Sequence, residues 1–367
     1  MDQETRKRKA DHIRIALSRN VSARQTTTGF EDVHFVHRAL PEINMQQIDL
    51  STTVFNHKFA APIIAGAITG GTVKAGEINA TIAEAVEELG LGMGLGSQRA
   101  AIEDEQLDKT FIVARRNAPT AFMLANIGGV QFVNGYGPEE AKKALDMIEA
   151  DAIAIHLNPL QEIIQPEGQT NFQGVLTKIG EATRELEKPI IVKETGAGIA
   201  AEEAKKLEDV GVEGIDVSGA GGTSWAAVEF YRTKKHRKNS QHGLGDVLWD
   251  WGIPTAASII EVSQTVEIPI IASGGIRSGV DMAKALALGA SLTSLSQPVL
   301  KAAVKGVEET KNFFSLLIEE LRDVMFLVGA GSVEDLHETP IVITGKTAEW
   351  LRMRGFDTIK YAQRGRT

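Results

Sequence analysis

The sequence predicts an α/β fold, a (β/α)8 TIM barrel carrying an N-terminal arm and a C-terminal helical extension. Three observations predict it: eight short apolar runs, helical periodicity between them, and polar residues gathered where the runs end.

The runs are Pro62–Ala67, Leu91–Gly96, Ala121–Asn126, Ala152–Leu157, Ile190–Lys193, Gly214–Ser218, Ile270–Ser273 and Ser291–Ser296. Strands that are apolar along their length are buried on both faces, and helices such as Ile78–Leu89, Pro138–Ile148, Ala201–Val210 and Val280–Leu288 between them imply parallel pairing. An open doubly wound sheet fits the same pattern. The strand ends favour closure. Thr69, Ser97 with Arg99, Asn126, His156 with Asn158, Lys193 with Glu194, Ser218, Gly274 with Gly275, and Ser296 would scatter along the edge of an open sheet, but they converge on one mouth of a barrel. Any one strand-end Ser or Asn is more often a helix cap.

One domain is expected over residues 1–367: an arm through 56, a barrel over 57–310 and an extension over 311–367. Within the extension, Phe313–Val328 reads as an amphipathic helix. Trp225–Pro254 is a basic insertion after the sixth run, expected as a long loop serving as a lid or partner surface. A merely solvated loop would have the same composition.

The chain has 367 residues and a net charge of −9, which argues against nonspecific nucleic-acid binding. Aromatics are 5% of residues while glycines number 36, so turns that bring backbone close to other groups outnumber stacking platforms. Cysteine is absent, which excludes disulfides, thiolate metal sites and cysteine nucleophiles. No apolar stretch has the length of a membrane span, and a cytoplasmic location is expected.

SGGIRSG at Ser273–Gly279 follows the seventh run and opens a helix, so it offers free N–H groups, Arg277 and close backbone approach to a phosphate. An ordinary tight turn is the plainer reading. ITGG at Ile68–Gly71 and SGAGGTSW at Ser218–Trp225 could close over a flat ring. Arg8, Lys9 and His12 with Ser97, Gln98 and Arg99 suggest a second anion site, provided the arm folds over the mouth; a terminal charge run is otherwise usually solvated. After the fourth run come His156, Asn158, Gln161 and Glu162, the last a suitable Mg²⁺ ligand beside phosphate oxygens. Lys193 is a cation on a buried strand and needs an anionic partner.

These motifs resemble the FMN-dependent type 2 isopentenyl diphosphate isomerases nearly from end to end. The resemblance is carried by RKADHI at Arg8–Ile13, FEDVHFVHRALPE at Phe30–Glu42, GLGSQRAAI at Gly94–Ile102, HLNPLQE at His156–Glu162, VKETGAGI at Val192–Ile199 and DVSGAGGTSW at Asp216–Trp225. It implies that FMN meets Ala67, Ile68, Thr69, Ser97, Asn126, Lys193, Ser218, Thr223, Gly275, Ile276, Arg277, Ser296 and Gln297. Substrate would meet Arg8, Lys9, His12, Ser97, Gln98, Arg99, Asn158 and Gln161, with Mg²⁺ at Glu162. His156, Gln161 and Lys193 would assist reduced FMN in the acid–base step that interconverts isopentenyl and dimethylallyl diphosphate. NADPH is the expected reductant, and a homotetramer or homo-octamer the expected assembly. The chain departs from the family at Ile68, usually Met, and at Ser294 and Ser296, usually Gly and Ala. The alternative is an FMN oxidoreductase of the 2-hydroxy-acid oxidase type. Such an enzyme needs a His–Arg pair near the later strands, and no matching motif is present.

Overall fold

The computed structural model describes residues 3–233 and 240–365. Eight parallel strands close into a barrel: β1 (Ile63–Ala65), β2 (Gly92–Gly94), β3 (Phe122–Gly128), β4 (Ala152–His156), β5 (Ile190–Lys193), β6 (Gly214–Asp216), β7 (Ile270–Ser273) and β8 (Leu292–Leu295). Each run foreseen in the sequence coincides with one of them, except that β3 continues two residues past its run to Gly128. Successive strands pair in chain order and β8 returns to β1, so no edge is left open.

Strand alternation divides the core in two. Ile64, Phe122, Leu124, Ala152, Ala154, Ile191, Ile271 and Leu292 fill the barrel interior. Their neighbours Ile63, Met93, Ile153, Val192, Ile215 and Ile270 face the surrounding helices. Full burial of an aliphatic side chain of this size is worth about 1.5–3 kcal/mol, so both faces hold the strands in register.

The N-terminal end of the barrel is plugged by the hairpin of Thr52–Val54 and His57–Phe59. Its turn residues Phe55 and Asn56 both have positive φ, 53° and 58°, as a two-residue hairpin requires. Phe55 stacks on Phe122 at 6.0 Å, and a Cβ on Gly214 would lie 2.7 Å from the Phe55 ring. Residue 56, the expected end of the arm, is thus in the turn of this plug.

At the C-terminal end, the helix Gln3–Ser18 crosses the mouth. Gln297 Nε2 donates to Ala16 O at 3.1 Å and the Ser22–Thr223 bridge fastens the following segment. Arm and extension also join each other, because Val33–Phe35 pairs antiparallel with Ile341–Ile343. The expected tail helix begins earlier, running Val307–Val328 through residue 311.

The insertion differs from the expected long loop. It contains the helices Trp225–Thr233 and Ser240–Val247, and its basic residues 234–239 lie outside the described residues. Apolar contacts explain the order: Ala227, Val228 and Trp249 pack on Ile15 and Val21 of the arm. Among the described residues, no helix is long and apolar enough to cross a membrane.

Candidate functional site

The strand alternation that buries the aliphatic layer places a polar layer above it. Asn126, His156, Lys193, Asp216, Ser273 and Ser294 each stand two residues beyond an interior position and form a floor across six strands. Adjacent members interact. His156 Nδ1 lies 2.8 Å from Asn126 Oδ1, His156 is in register with Lys193, Lys193 with Asp216, and Ser273 Oγ donates to Asp216 Oδ1 at 2.5 Å.

Burial, then the Lys193 charge and Lys9, push His156 down to about 3. A histidine so held is neutral, so it acts as a hydrogen-bonding group and not as a standing acid. Burial raises Asp216 against the opposing pull of Lys193. Lys193 Nζ donates to the Glu194 carbonyl oxygen. The Glu194 carboxylate is raised to about 7 by burial, although it accepts the backbone N–H groups of Thr195, Gly196 and Ala197.

Above this floor opens a cleft of roughly 280 Å³. From the flavin set it brings together Ala67, Ile68, Thr69, Ser97, Asn126, Lys193, Ser218, Thr223, Gly275, Arg277, Ser296 and Gln297. Ile276 is the exception, 1% exposed in the core, so only its backbone can serve a ligand. The turns after β6 and β7 touch backbone to backbone: a Cβ on Gly274 would collide with Gly219, and one on Gly222 with Gly275. Ser218 takes φ 39°, a strained conformation for a residue with a side chain.

The Arg277 guanidinium donates to Ile276 O at 2.8 Å and makes no ion pair among the described residues. Burial lowers its pKa despite Asp281. An exposed guanidinium with no ion pair among the described residues, beside a turn too tight for side chains, fits the phosphate of FMN, and the polar floor fits its ring.

The second cation group also lines the cleft. Arg8, Lys9, His12, Ser97 and Arg99 are there, with Asn158, Gln161 and Glu162 facing them. Lys9 Nζ donates to Ser97 O at 3.0 Å, and burial with the nearby Arg8 pulls its pKa down to about 7. Arg99 pairs with Glu103 at 2.7 Å. Gln98 does not line the cleft. Its Oε1 accepts from Asn126 N at 2.9 Å and its Nε2 donates to Ala144 O at 2.8 Å, so its side chain is 0% exposed and braces β3.

Glu162 is buried and accepts from Asn158 Nδ2 at 2.9 Å, Gln165 Nε2 at 2.7 Å and Gln169 N at 2.6 Å. Asn158 Oδ1 and Gln165 Oε1 are buried without hydrogen-bond partners. Among the described residues no three His, Cys, Asp or Glu side chains group as a metal site. One carboxylate with two free amide oxygens nevertheless suits a hard cation whose remaining ligands are water and phosphate.

Sequence reasoning missed the residues that tie the arm down. His12 Nε2 lies 2.8 Å from Glu229, whose other oxygen takes Arg232 Nε at 2.5 Å; Arg232 continues to Glu167 at 2.9 Å and Glu167 to Arg8 at 3.5 Å. Burial raises Glu229, but His12 and Arg232 outweigh it and hold its carboxyl below the usual range. Gln161 Nε2 also reaches Glu229 Oε1, at 3.5 Å, and Trp225 meets the His12 ring edge-on at 5.1 Å.

Fold and site define an FMN-binding barrel protein, and the model of the FMN-dependent dehydrogenase family matches residues 1–124 and 139–343. The chain is 48% identical to the isopentenyl-diphosphate delta-isomerase of Methanothermobacter thermautotrophicus over 97% of this chain and 99% of that protein. It is 50% identical to the enzyme of the same name from Pyrococcus furiosus, covering 96% and 91%. The chain belongs to the type 2, FMN-dependent isopentenyl-diphosphate delta-isomerase family. Solved structures of a Pediococcus acidilactici lactate oxidase (TM-score 0.65, 19% identity, 94% of this chain and 93% of that one) and a mandelate oxidase (TM-score 0.64, 18% identity, 93% and 98%) share its fold. At that identity they bear on fold alone.

Proposed function

We propose that this chain interconverts isopentenyl and dimethylallyl diphosphate, and that one cleft with two separate cation groups is the observation carrying the reading. Arg277 with Gly275 suits the phosphate of a cofactor; Arg8, Lys9 and Arg99 suit the diphosphate of a substrate. A 2-hydroxy-acid oxidase would hold its carboxylate with a His–Arg pair near the later strands, not with a cation group on the arm and after β2, and the isomerase relatives support the diphosphate reading.

Reduced FMN, when bound, supplies an acid–base centre and an electron-rich ring. The chain does the rest. Lys9, Arg8 and Arg99 fix the diphosphate, so that the alkene reaches over the floor. Lys193 brings a positive charge to the ring, and neutral His156 with Asn126 supplies hydrogen bonds without delivering a competing proton. Gln161, held between Asn158 at 3.2 Å and Glu229 at 3.5 Å, presents its side chain at the wall of the cleft where the substrate would lie. Trp225 and the arm helix keep water from developing positive charge, which an indole face also stabilises. Glu162, Asn158 and Gln165 are the residues that would hold Mg²⁺ next to the diphosphate.

The same reading assigns NADPH as reductant, the cytoplasm as location and a homotetramer or homo-octamer as assembly. Exposed Val36, Leu40, Leu327 and Val342, all on or beside the sheet joining arm and extension, support self-association. The direct test starts reduced holoenzyme with either diphosphate and follows both by NMR. Arrival at one common ratio from the two sides supports the isomerase; conversion of neither removes it.

A further inference from the structure

We infer that Glu194 is a positioning residue for Lys193: by gathering the N–H groups of Thr195, Gly196 and Ala197 onto one oxygen, it fixes the carbonyl on which the Lys193 ammonium rests and so holds that charge at the flavin. The inference rests on the FMN reading above. Lys193 borders the cleft, whereas Glu194, 5% exposed, borders an adjoining void whose walls include Trp249 and Trp251. Glu194 therefore reaches the reacting centre only through its neighbour.

Lys193 Nζ donates to the Glu194 carbonyl oxygen and makes no ion pair among the described residues. Asp216 lies in register with it, but Asp216 Oδ1 is engaged by Ser273 Oγ at 2.5 Å and Ser218 N at 3.2 Å. The ammonium stands where the carbonyl of residue 194 places it.

That carbonyl belongs to a turn anchored from within. Glu194 N still pairs with Asp216 O at 3.2 Å as β5 ends, and Gly198 N reaches Ser218 O at 3.0 Å where the turn closes. Between them the N–H groups of Thr195 and Gly196 donate to Glu194 Oε2 at 2.6 and 2.5 Å, and that of Ala197 joins them on the same atom. The Glu194 carbonyl and the Thr195 N–H share one rigid peptide plane and point in opposite directions. Drawing the N–H to Oε2 on one side aims the oxygen at Lys193 on the other. Burial raises this carboxyl to about 7 in spite of its three donors, so a carboxylate is unfavourable here except for what it holds. Without the acceptor, the three donors would turn toward new partners and carry the carbonyl with them.

The test compares two full-length holoenzyme variants that separate oxygen from charge, reading the midpoint potential of the bound flavin against reference dyes. Glu194→Asp keeps the charge and withdraws the oxygen from the turn; Glu194→Gln loses the charge and keeps an oxygen in place. A well-placed ammonium favours the anionic reduced ring. Glu194→Asp should therefore weaken reduced relative to oxidised flavin about tenfold, lowering the potential by about 30 mV for a two-electron couple, while Glu194→Gln stays within about twofold of the wild type. In a Lys193→Met background Glu194→Asp should have no further effect. An unchanged potential in Glu194→Asp would overturn the inference, as would a drop that survives Lys193→Met. A marked rise in Glu194→Gln would make the carboxylate a direct charge on the ring and overturn it too. Wild-type protein that bound no flavin would overturn the proposed function instead.

Discussion

His156 Nδ1 faces Asn126 Oδ1 at 2.8 Å while the Asn126 amide nitrogen donates to Leu95 O at 2.9 Å. With its nitrogen engaged, Asn126 can only accept from the ring. His156 therefore carries its proton on Nδ1 and keeps a lone pair on Nε2. In oxidised holoenzyme labelled with ¹⁵N-histidine, this tautomer should persist unchanged from pH 8 to pH 5. A transition near pH 6.5 would show that the ring is charged in use. The sign for stability follows: the folded-state value of about 3 lies below the unfolded value, so the unfolded chain gains the proton first. This group's contribution is full above roughly pH 6.5 and is lost as the pH falls toward 3.

Lys9 behaves differently, because a ligand can restore the charge that burial and Arg8 remove. Diphosphate binding should take up protons above pH 7 and weaken as the pH rises toward 9. Titration calorimetry of inorganic pyrophosphate in buffers of different ionisation enthalpy measures the uptake. Lys9→Arg, charged throughout, should lose the slope. Lys9→Ala and Arg99→Ala should each raise the substrate KM about ten- to a hundredfold with flavin retained; unchanged kinetics in both would remove the second anion site.

Gln98→Ala should cost stability and leave the substrate KM near that of the wild type. The Asn126 N–H and Ala144 carbonyl lose a buried partner, worth about 1–3 kcal/mol. Thermal melting reads the loss. A large KM effect with an unchanged melting temperature would return Gln98 to the substrate set.

Glu162→Gln keeps the side-chain shape and removes its charge. The Mg²⁺ concentration giving half-maximal rate should rise several-fold while flavin content stays constant. A normal titration would leave the metal to substrate oxygens alone.

Much of this site was legible because barrel geometry converts strand ends into neighbours. The convergence of Thr69, Ser97, Asn126 and Lys193 on one cleft needed only their place at a strand end, that of Arg277 its glycine turn, while Ala67 entered through the resemblance. The direction of the Gln98 side chain was not legible, because adjacent side chains do not share a direction and its brace to Ala144 spans 46 residues. The Arg8–Glu167 and His12–Glu229 contacts, 159 and 217 residues apart, depend on docking of the arm, which no local pattern encodes. Asp216 and Ser273 had a readable signal. Each follows an interior strand position by two, the same spacing that marks Lys193. The insertion was misread for want of tertiary context: its first helix and Trp249 are held by arm residues Ile15 and Val21.

The account stands on an isomerisation in which electrons are not exchanged, and counting them is its most direct test. Holoenzyme reduced once and kept anaerobic should convert many equivalents of isopentenyl diphosphate in D₂O, with deuterium entering the product by NMR and the reduced-flavin absorbance unchanged. Consumption of one reducing equivalent per product, or equal activity with oxidised flavin, would contradict it.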